Sequence, residues 1–290
     1  MGLCDDVRRE SATIVAASRL VRIDLDRLGA IEPGPPPVLD PERHYLEGSA
    51  GDVASYILTL DSINFGSGWF PTLHKRPGSS GYYTVAWALA DRFRAHGPWS
   101  GEELCSLTPA EVADVLGQDR QHELMALYAQ ALNDLGRFLR HRSALDAIEA
   151  ANGSAERLAE QLAAGMPFFD DAGFFKRAQI TPNDLALAGI AEFHDLDRLT
   201  IFADNLVPHV LRVDGVLHYE RELAERIDRG DLLEPGGAER EIRAAAVHAC
   251  ERIAAELGVP PRTLDTWLWN RGQEPRYKAL PRHRTRTVFY

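Results

Sequence analysis

A mainly α-helical fold is predicted by three observations. Apolar residues recur at helical spacing along most of the chain, two capping boxes precede such runs, and strand-like alternation is scarce. Glu10 to Ile31 opens the series, with Ile14, Val15, Leu20, Val21, Ile23 and Leu28 at helical spacing. The PGPPP stretch from Pro33 to Pro37 then forces an extended linker, because proline fixes φ and donates no backbone hydrogen bond. Ser100 with Glu103, and Thr108 with Glu111, set a hydroxyl three residues ahead of a carboxylate, so each pair satisfies free N–H groups of a first turn. Helical periodicity continues over Gln121 to Phe138, Ser154 to Ala164 and Pro182 to Phe193. In Glu239 to Leu257, Ile242, Ala246, Ala249, Ile253 and Leu257 form one apolar stripe. Thr285 to Tyr290 is the best short candidate for a strand. The expected architecture is one compact multi-helix domain over residues 1–290, residues 1–38 being an N-terminal helix and Pro-rich linker.

Composition narrows the function classes. With 45% hydrophobic and 26% charged residues the chain is ordinary globular protein. No apolar run of about 18 residues is present, which excludes a membrane-spanning helix. MGLCDDVRRE lacks the apolar stretch of a secretory signal. Cys4, Cys105 and Cys250 lie far apart and fit neither a disulfide framework nor a zinc site, so a reducing cytoplasm is the expected location. The histidines show no H-x-x-x-H spacing, and neither metal nor cofactor is expected. A formal net charge of −11 argues against the phosphate backbone of duplex DNA as the main partner. It leaves room for a small phosphorylated ligand, which needs only one local basic pocket.

Four segments stand out. In DSINFGSGWFPTL, Asp61 to Leu73, aromatic residues sit among glycines and a proline. Such rings either stack on a planar base, at about 1–3 kcal/mol per base, or tuck under a neighbouring helix. FFKRAQI, Phe174 to Ile180, sets Lys176 and Arg177 side by side, about 100° apart on a helix, so at most one faces inward easily. The TPND that follows reads as a helix start with Pro182 at its first position. RYKALPRHRTRTVFY at the C-terminus carries Arg276, Lys278, Arg282, Arg284 and Arg286 without an acid, fitting either a phosphate or an acidic surface of the same chain. Finally, HDLDRLTIFADNLVPHVL, His194 to Leu211, places Asp204 inside an apolar run. Asp195 and Asp197 read as helix caps. Pro208 cannot bond to the Asp204 carbonyl in a continuous helix, so the backbone should break just after Asp204 and let its carboxylate project into a cavity.

Taken together, these segments resemble the queuosine salvage family, the queuosine 5′-phosphate N-glycosylases. The resemblance rests on DSINF (Asp61 to Phe65), SGYY (Ser80 to Tyr83), FKRAQI (Phe175 to Ile180) and LTIFADNLVP (Leu199 to Pro208). EIR (Glu241 to Arg243), WLW (Trp267 to Trp269) and HRTRTVFY (His283 to Tyr290) follow in the same order. It spans most of the chain from about residue 50 onward. The loop departs from the family's usual N-F-x-F-W by extra glycine between Phe65 and Trp69.

The resemblance implies a fold similar to the helical DNA glycosylases of the helix-hairpin-helix kind. It implies hydrolysis of the N-glycosidic bond of queuosine 5′-monophosphate, which releases queuine for reinsertion into tRNA. Cleaving that bond builds positive charge at C1′, which a carboxylate stabilises. ADNLVPHVL, Ala203 to Leu211, is similar to the glycosylase pattern that carries a catalytic Asp. Asp204 and Asp195 are therefore the expected catalytic acids, with Asp204 favoured at C1′. The implied substrate contacts are Asn64, Phe65 and Trp69 at the base, Lys176 and Arg286 at the 5′-phosphate, and His44 and Asp197. A nucleic-acid base glycosylase and a non-catalytic queuine-binding protein are the alternatives.

Overall fold

The computed structural model describes residues 2–290 and is built almost entirely of helices. The first half contains α1 (Leu3–Ala17), β1 (Val21–Ile23), α2 (Ala50–Ser62), α3 (Gly81–His96), α4 (Gly101–Ser106), α5 (Pro109–Leu116) and α6 (Glu123–Leu139). The second half contains α7 (Ala144–Glu149), α8 (Ala155–Gly165), α9 (Lys176–Leu187), α10 (Leu206–Val213), β2 (Leu217–Tyr219), α11 (Arg221–Asp228), α12 (Ala238–Leu257), α13 (Pro261–Arg271) and α14 (Pro275–Lys278). The expected mainly α class is what the chain adopts. Its only sheet among the described residues is the antiparallel pair β1–β2, with Arg22 opposite His218.

Local chemistry explains most boundaries. Both anticipated capping boxes form, Ser100 with Glu103 at α4 and Thr108 with Glu111 at α5. Two more close α2 and α7, through Ser49 with Asp52 and Ser143 with Asp146. The helix expected over Glu10 to Ile31 instead ends at Ala17. There the Glu241 carboxylate accepts from the Ser18 hydroxyl at 2.6 Å and from the Leu20 amide at 2.8 Å. That interception frees Val21–Ile23 to pair as a strand, a conformation its β-branched side chains favour. The expected strand over Thr285 to Tyr290 does not form. That tail threads between elements, with the Tyr290 carbonyl accepting from the Gly66 amide at 2.9 Å.

One apolar cluster runs from Leu3 to Tyr277. At its centre α12 buries Ile242, Ala246, Ala249 and Ile253, the stripe read from the sequence, and α1 packs along it. The Pro-rich linker is extended and docked: the Pro35 carbonyl accepts from the Trp267 indole at 2.8 Å. A Cβ at Gly34 would stand 2.7 Å from the same ring, so the chain passes close under α13 only as glycine. This docking delivers Val38, Leu39 and Asp40 to the rim of a cavity enclosed by the loop after α2 and by α3, α9, α10, α13 and α14. No helix among the described residues is long and apolar enough to cross a membrane.

Candidate active site

The cavity holds about 320 Å³, enough for a nucleoside-sized occupant. One wall is a single face of α9, where Lys176, Ile180, Asn183, Asp184 and Leu187 recur at helical spacing. Pro182 lies inside this helix and not at its start, which is six residues earlier at Lys176. The start is set by the Asp171 carboxylate, which accepts from the Lys176 amide at 3.3 Å, and by Phe175 in the left-handed region at φ 50°. Both cations of the KR pair are buried, against the expectation that one at most would turn inward. Lys176 faces the cavity. Arg177 points elsewhere and donates to the carbonyls of Ser62 at 2.6 Å, Val288 at 2.7 Å and Phe168, with the Phe65 ring 4.7 Å from its guanidinium carbon. A buried arginine is tolerable there because loop carbonyls satisfy it.

The opposite wall is LTIFADNLVP. Leu199 to Ala203 are buried, and side chains take the place of helical bonding. The Thr200 amide donates to Gln179 at 2.9 Å, the Phe202 amide to Asp265 at 2.8 Å, and the Ala203 carbonyl accepts from Arg243 at 2.8 Å. Each satisfied group holds the segment extended up to Asp204. The break expected after Asp204 is the beginning of a helix. Oδ1 of Asp204 accepts from the amides of Leu206 at 2.7 Å and Val207 at 3.3 Å, capping α10. Pro208 costs nothing in that first turn, where its missing N–H would have no intrahelical partner. The second carboxylate oxygen of Asp204 makes no hydrogen bond among the described residues, and the residue lines the cavity.

Around Asp204 the charges are concentrated. Lys176, only 5% exposed, gives a hydrogen bond to the Asn64 carbonyl at 3.2 Å. Burial lowers its pKa, opposed by Asp204 before any other carboxylate. Asp265 on α13 is pushed up to about 7 by burial and then by Asp204. Asp184 on α9 is pushed up to about 7 by burial, with Asn183 and Lys176 pulling the other way. Asp61, fully buried at the end of α2, is raised well above the carboxylate range by burial and by Asp184. Lys278 and Arg282 also line the cavity and enter no protein ion pair. Burial lowers the pKa of Arg282, and Asp204 raises it.

Five expected residues meet at this cavity: Asp204, Asn64, Phe65, Lys176 and His44. Phe65 shares its ring with Tyr128, 5.0 Å away, so it is as much core as wall. Both ring nitrogens of His44 are occupied, by the Asp40 carbonyl at 2.8 Å and the Tyr82 hydroxyl at 3.0 Å. Four expected residues lie elsewhere. Asp195 caps α8, accepting from the Ser154 hydroxyl and the Ala155 amide at 2.6 Å each, and those bonds hold its pKa below the usual range against burial. Asp197 is exposed and paired with Arg262 at 2.7 Å. Trp69 donates its indole N–H to Glu123 at 2.8 Å, and Arg286 pairs with the same Glu123 at 3.3 Å, so both are tied to α6 outside the cavity.

The extra glycine in the loop has a steric cause. A Cβ at Gly68 would stand 2.4 Å from the Thr285 carbonyl oxygen of the crossing tail, and Gly66 adopts φ 103°. The loop turns Trp69 into the core against α6 and Phe70 into the cavity wall. Sequence reasoning missed Asp184 and Asp265, and it weighed Arg286 above Arg282. A carboxylate at helical spacing from Lys176 on an otherwise apolar face was the available signal for Asp184. The aromatic walls, Tyr82, Tyr83 and Trp269, come from the quoted SGYY and WLW segments, with Trp269 standing edge-on to both tyrosines.

A family model described as queuosine salvage protein matches residues 44–290. A relative from Sphaerobacter thermophilus is 32% identical, over 100% of this chain and 98% of its own length. Relatives from Dictyostelium discoideum and Mus musculus are 31% and 28% identical, covering 82% and 85% of this chain and 78% and 85% of their own lengths. All three bear the name queuosine 5′-phosphate N-glycosylase/hydrolase. With a family model that begins at His44 and runs through every wall of the cavity from there on, this chain belongs to the queuosine salvage protein family.

Proposed function

We propose that the cavity hydrolyses the N-glycosidic bond of queuosine 5′-monophosphate and releases queuine, with Asp204 at C1′. The observation that carries this reading is the state of the Asp204 carboxylate. One oxygen is held by the first amides of α10, and the other is left for the cavity. The helix N-terminus keeps that charge in place before any substrate arrives, so no reorganisation is needed as positive charge builds at C1′. The C1′–N9 bond breaks with its electron pair on the base. Water supplies the new C1′–O bond, and one of its protons replaces the sugar on the base.

Queuine is a 7-deazaguanine, so N7 is not available to take up a proton as the base departs. Donors near the base are the Lys176 ammonium and the Asp265 carboxyl, whose pKa of about 7 keeps much of it protonated at neutral pH. Lys278 and Arg282, cavity cations that form no ion pair within 4 Å among the described residues, suit the 5′-phosphate. The edge-on aromatics Tyr82, Tyr83 and Trp269 with Phe70 form the wall for the base. The chain works as one unit in this reading, since the linker, the loop and the tail all reach the same cavity.

The deciding experiment incubates the purified protein with queuosine 5′-monophosphate and follows queuine by mass spectrometry. Release that persists in EDTA is the expected result. Tight binding of queuine without release indicates a carrier, and strong salt-sensitive binding of duplex DNA indicates a nucleic-acid glycosylase.

A further inference from the structure

The polar atoms of the cavity are sorted by hydrogen-bonding sense. The carboxylate nearest in effect to Tyr82 is Asp184, whereas Arg282 feels Asp204 and Arg284. Near Tyr82 the proton positions follow from geometry. Nδ1 of His44 lies 2.8 Å from the Asp40 carbonyl oxygen, which only accepts, so Nδ1 carries the proton. Burial lowers the His44 pKa below its ordinary value, so the ring is neutral and Nε2 holds a lone pair. The Tyr82 hydroxyl, 3.0 Å from Nε2, must therefore donate to it. Its proton is spent, and its oxygen offers the cavity lone pairs only.

The neighbours have the same sense. The Asn183 side-chain amide donates to Asp184 at 3.1 Å, and its carbonyl oxygen has no partner. Tyr82, Asn183 and Asp184 all line the cavity. The Tyr82 oxygen and the ionised fraction of Asp184, whose pKa is pushed up to about 7, are acceptors that favour an occupant bringing donors and positive charge.

We propose that Tyr82 reads the protonated secondary amine on the side arm of queuine as an obligate acceptor, and that His44 is the positioning residue that makes it one. This rests on the reading of the substrate given above. His44 acts through Tyr82 and has no nitrogen left for the ligand. Loss of His44 frees the Tyr82 hydroxyl to rotate, so its lone pairs are no longer held towards the ammonium and the preorganised attraction is lost. The neutral base without the arm gains nothing from this arrangement.

The test is calorimetric titration of the full chain with queuine and with 7-deazaguanine, which lacks the arm. Wild type binds queuine more tightly. Tyr82→Phe, nearly isosteric, cuts that preference about tenfold or more, as expected for a hydrogen bond to a charged group. His44→Phe does the same. His44→Gln keeps most of the preference, because an amide offers one donor and one acceptor in place of the two ring nitrogens. An unchanged preference in Tyr82→Phe, or an equal loss of affinity for both ligands, overturns the assignment of Tyr82. Equal behaviour of His44→Phe and His44→Gln overturns the positioning role. A wild type that shows the preference and releases no queuine from the nucleotide refutes the hydrolytic reading alone.

Discussion

Asp195 and Asp204 are nine residues apart, and each caps a helix, yet only Asp204 lines the cavity. Asp195 spends both carboxylate oxygens on α8, through Ser154 and the amides of Ala155 and Glu156, outside the cavity. Asp204 spends one oxygen on α10 and turns the other to the cavity beside Lys176 and Asp265. A saturated carboxylate stabilises a fold. A half-saturated one at the same kind of helix end keeps its charge fixed and still has an oxygen to offer. The difference lies in what surrounds the cap and not in the cap itself.

Substitution at the two acids tests the comparison most severely. Asp204→Asn keeps an oxygen for the α10 amides, so fold and queuine binding persist, while turnover falls by two to three orders of magnitude or more. Single-turnover release of queuine measures this. Near-normal rate in Asp204→Asn, with loss in Asp195→Asn, reverses the roles of the two acids. The cations of the tail come next. Arg282→Ala raises KM for the nucleotide about tenfold or more, whereas Arg286→Ala, whose partner is Glu123, stays within about twofold. Steady-state kinetics on the nucleotide and the nucleoside separates a phosphate contact from a general effect.

Smaller effects belong to stability. Asp195→Ala loses about 1–2 kcal/mol, read as a lower denaturation midpoint, with kcat retained. The raised pKa values of Asp184 and Asp265 set a pH dependence whose sign is determined. Folded pKa values near 7 lie above the unfolded carboxylate value, so the folded state binds more protons between about pH 4 and 7. Those two groups therefore favour the fold in acid, and that contribution is lost as pH rises through 7. Asp184→Asn removes the titration, so its stability relative to wild type climbs from pH 5 to pH 8 in thermal melts. A flat difference refutes the assignment.

The legible parts were those decided by near neighbours. Ser100 with Glu103 and Thr108 with Glu111 cap their helices because a hydroxyl and a carboxylate three residues apart meet in any first turn. The stripe of α12 is buried because its period matches the helix. Asp204 stood out because a carboxylate and a proline interrupt an apolar run. Other features depended on distant partners. α1 stops where Glu241 arrives from the other end of the chain, and Arg177 is buried because carbonyls from three separate segments converge on it. Trp69 and Arg286 belong to segments that reach the cavity but do not line it themselves, since Glu123 holds both against α6.

By itself, then, the sequence determined a mainly α chain, its caps, its central stripe and the oddity of Asp204, all properties of spacing along one helix or loop. The tertiary structure decided which acids share a cavity. It put Asp265 and Lys176 beside Asp204, set Asp184 in the same cavity and left Asp195 outside. The physical reason is that the standing of a carboxylate depends on burial and on the charges facing it, and those are supplied by segments far away in the chain.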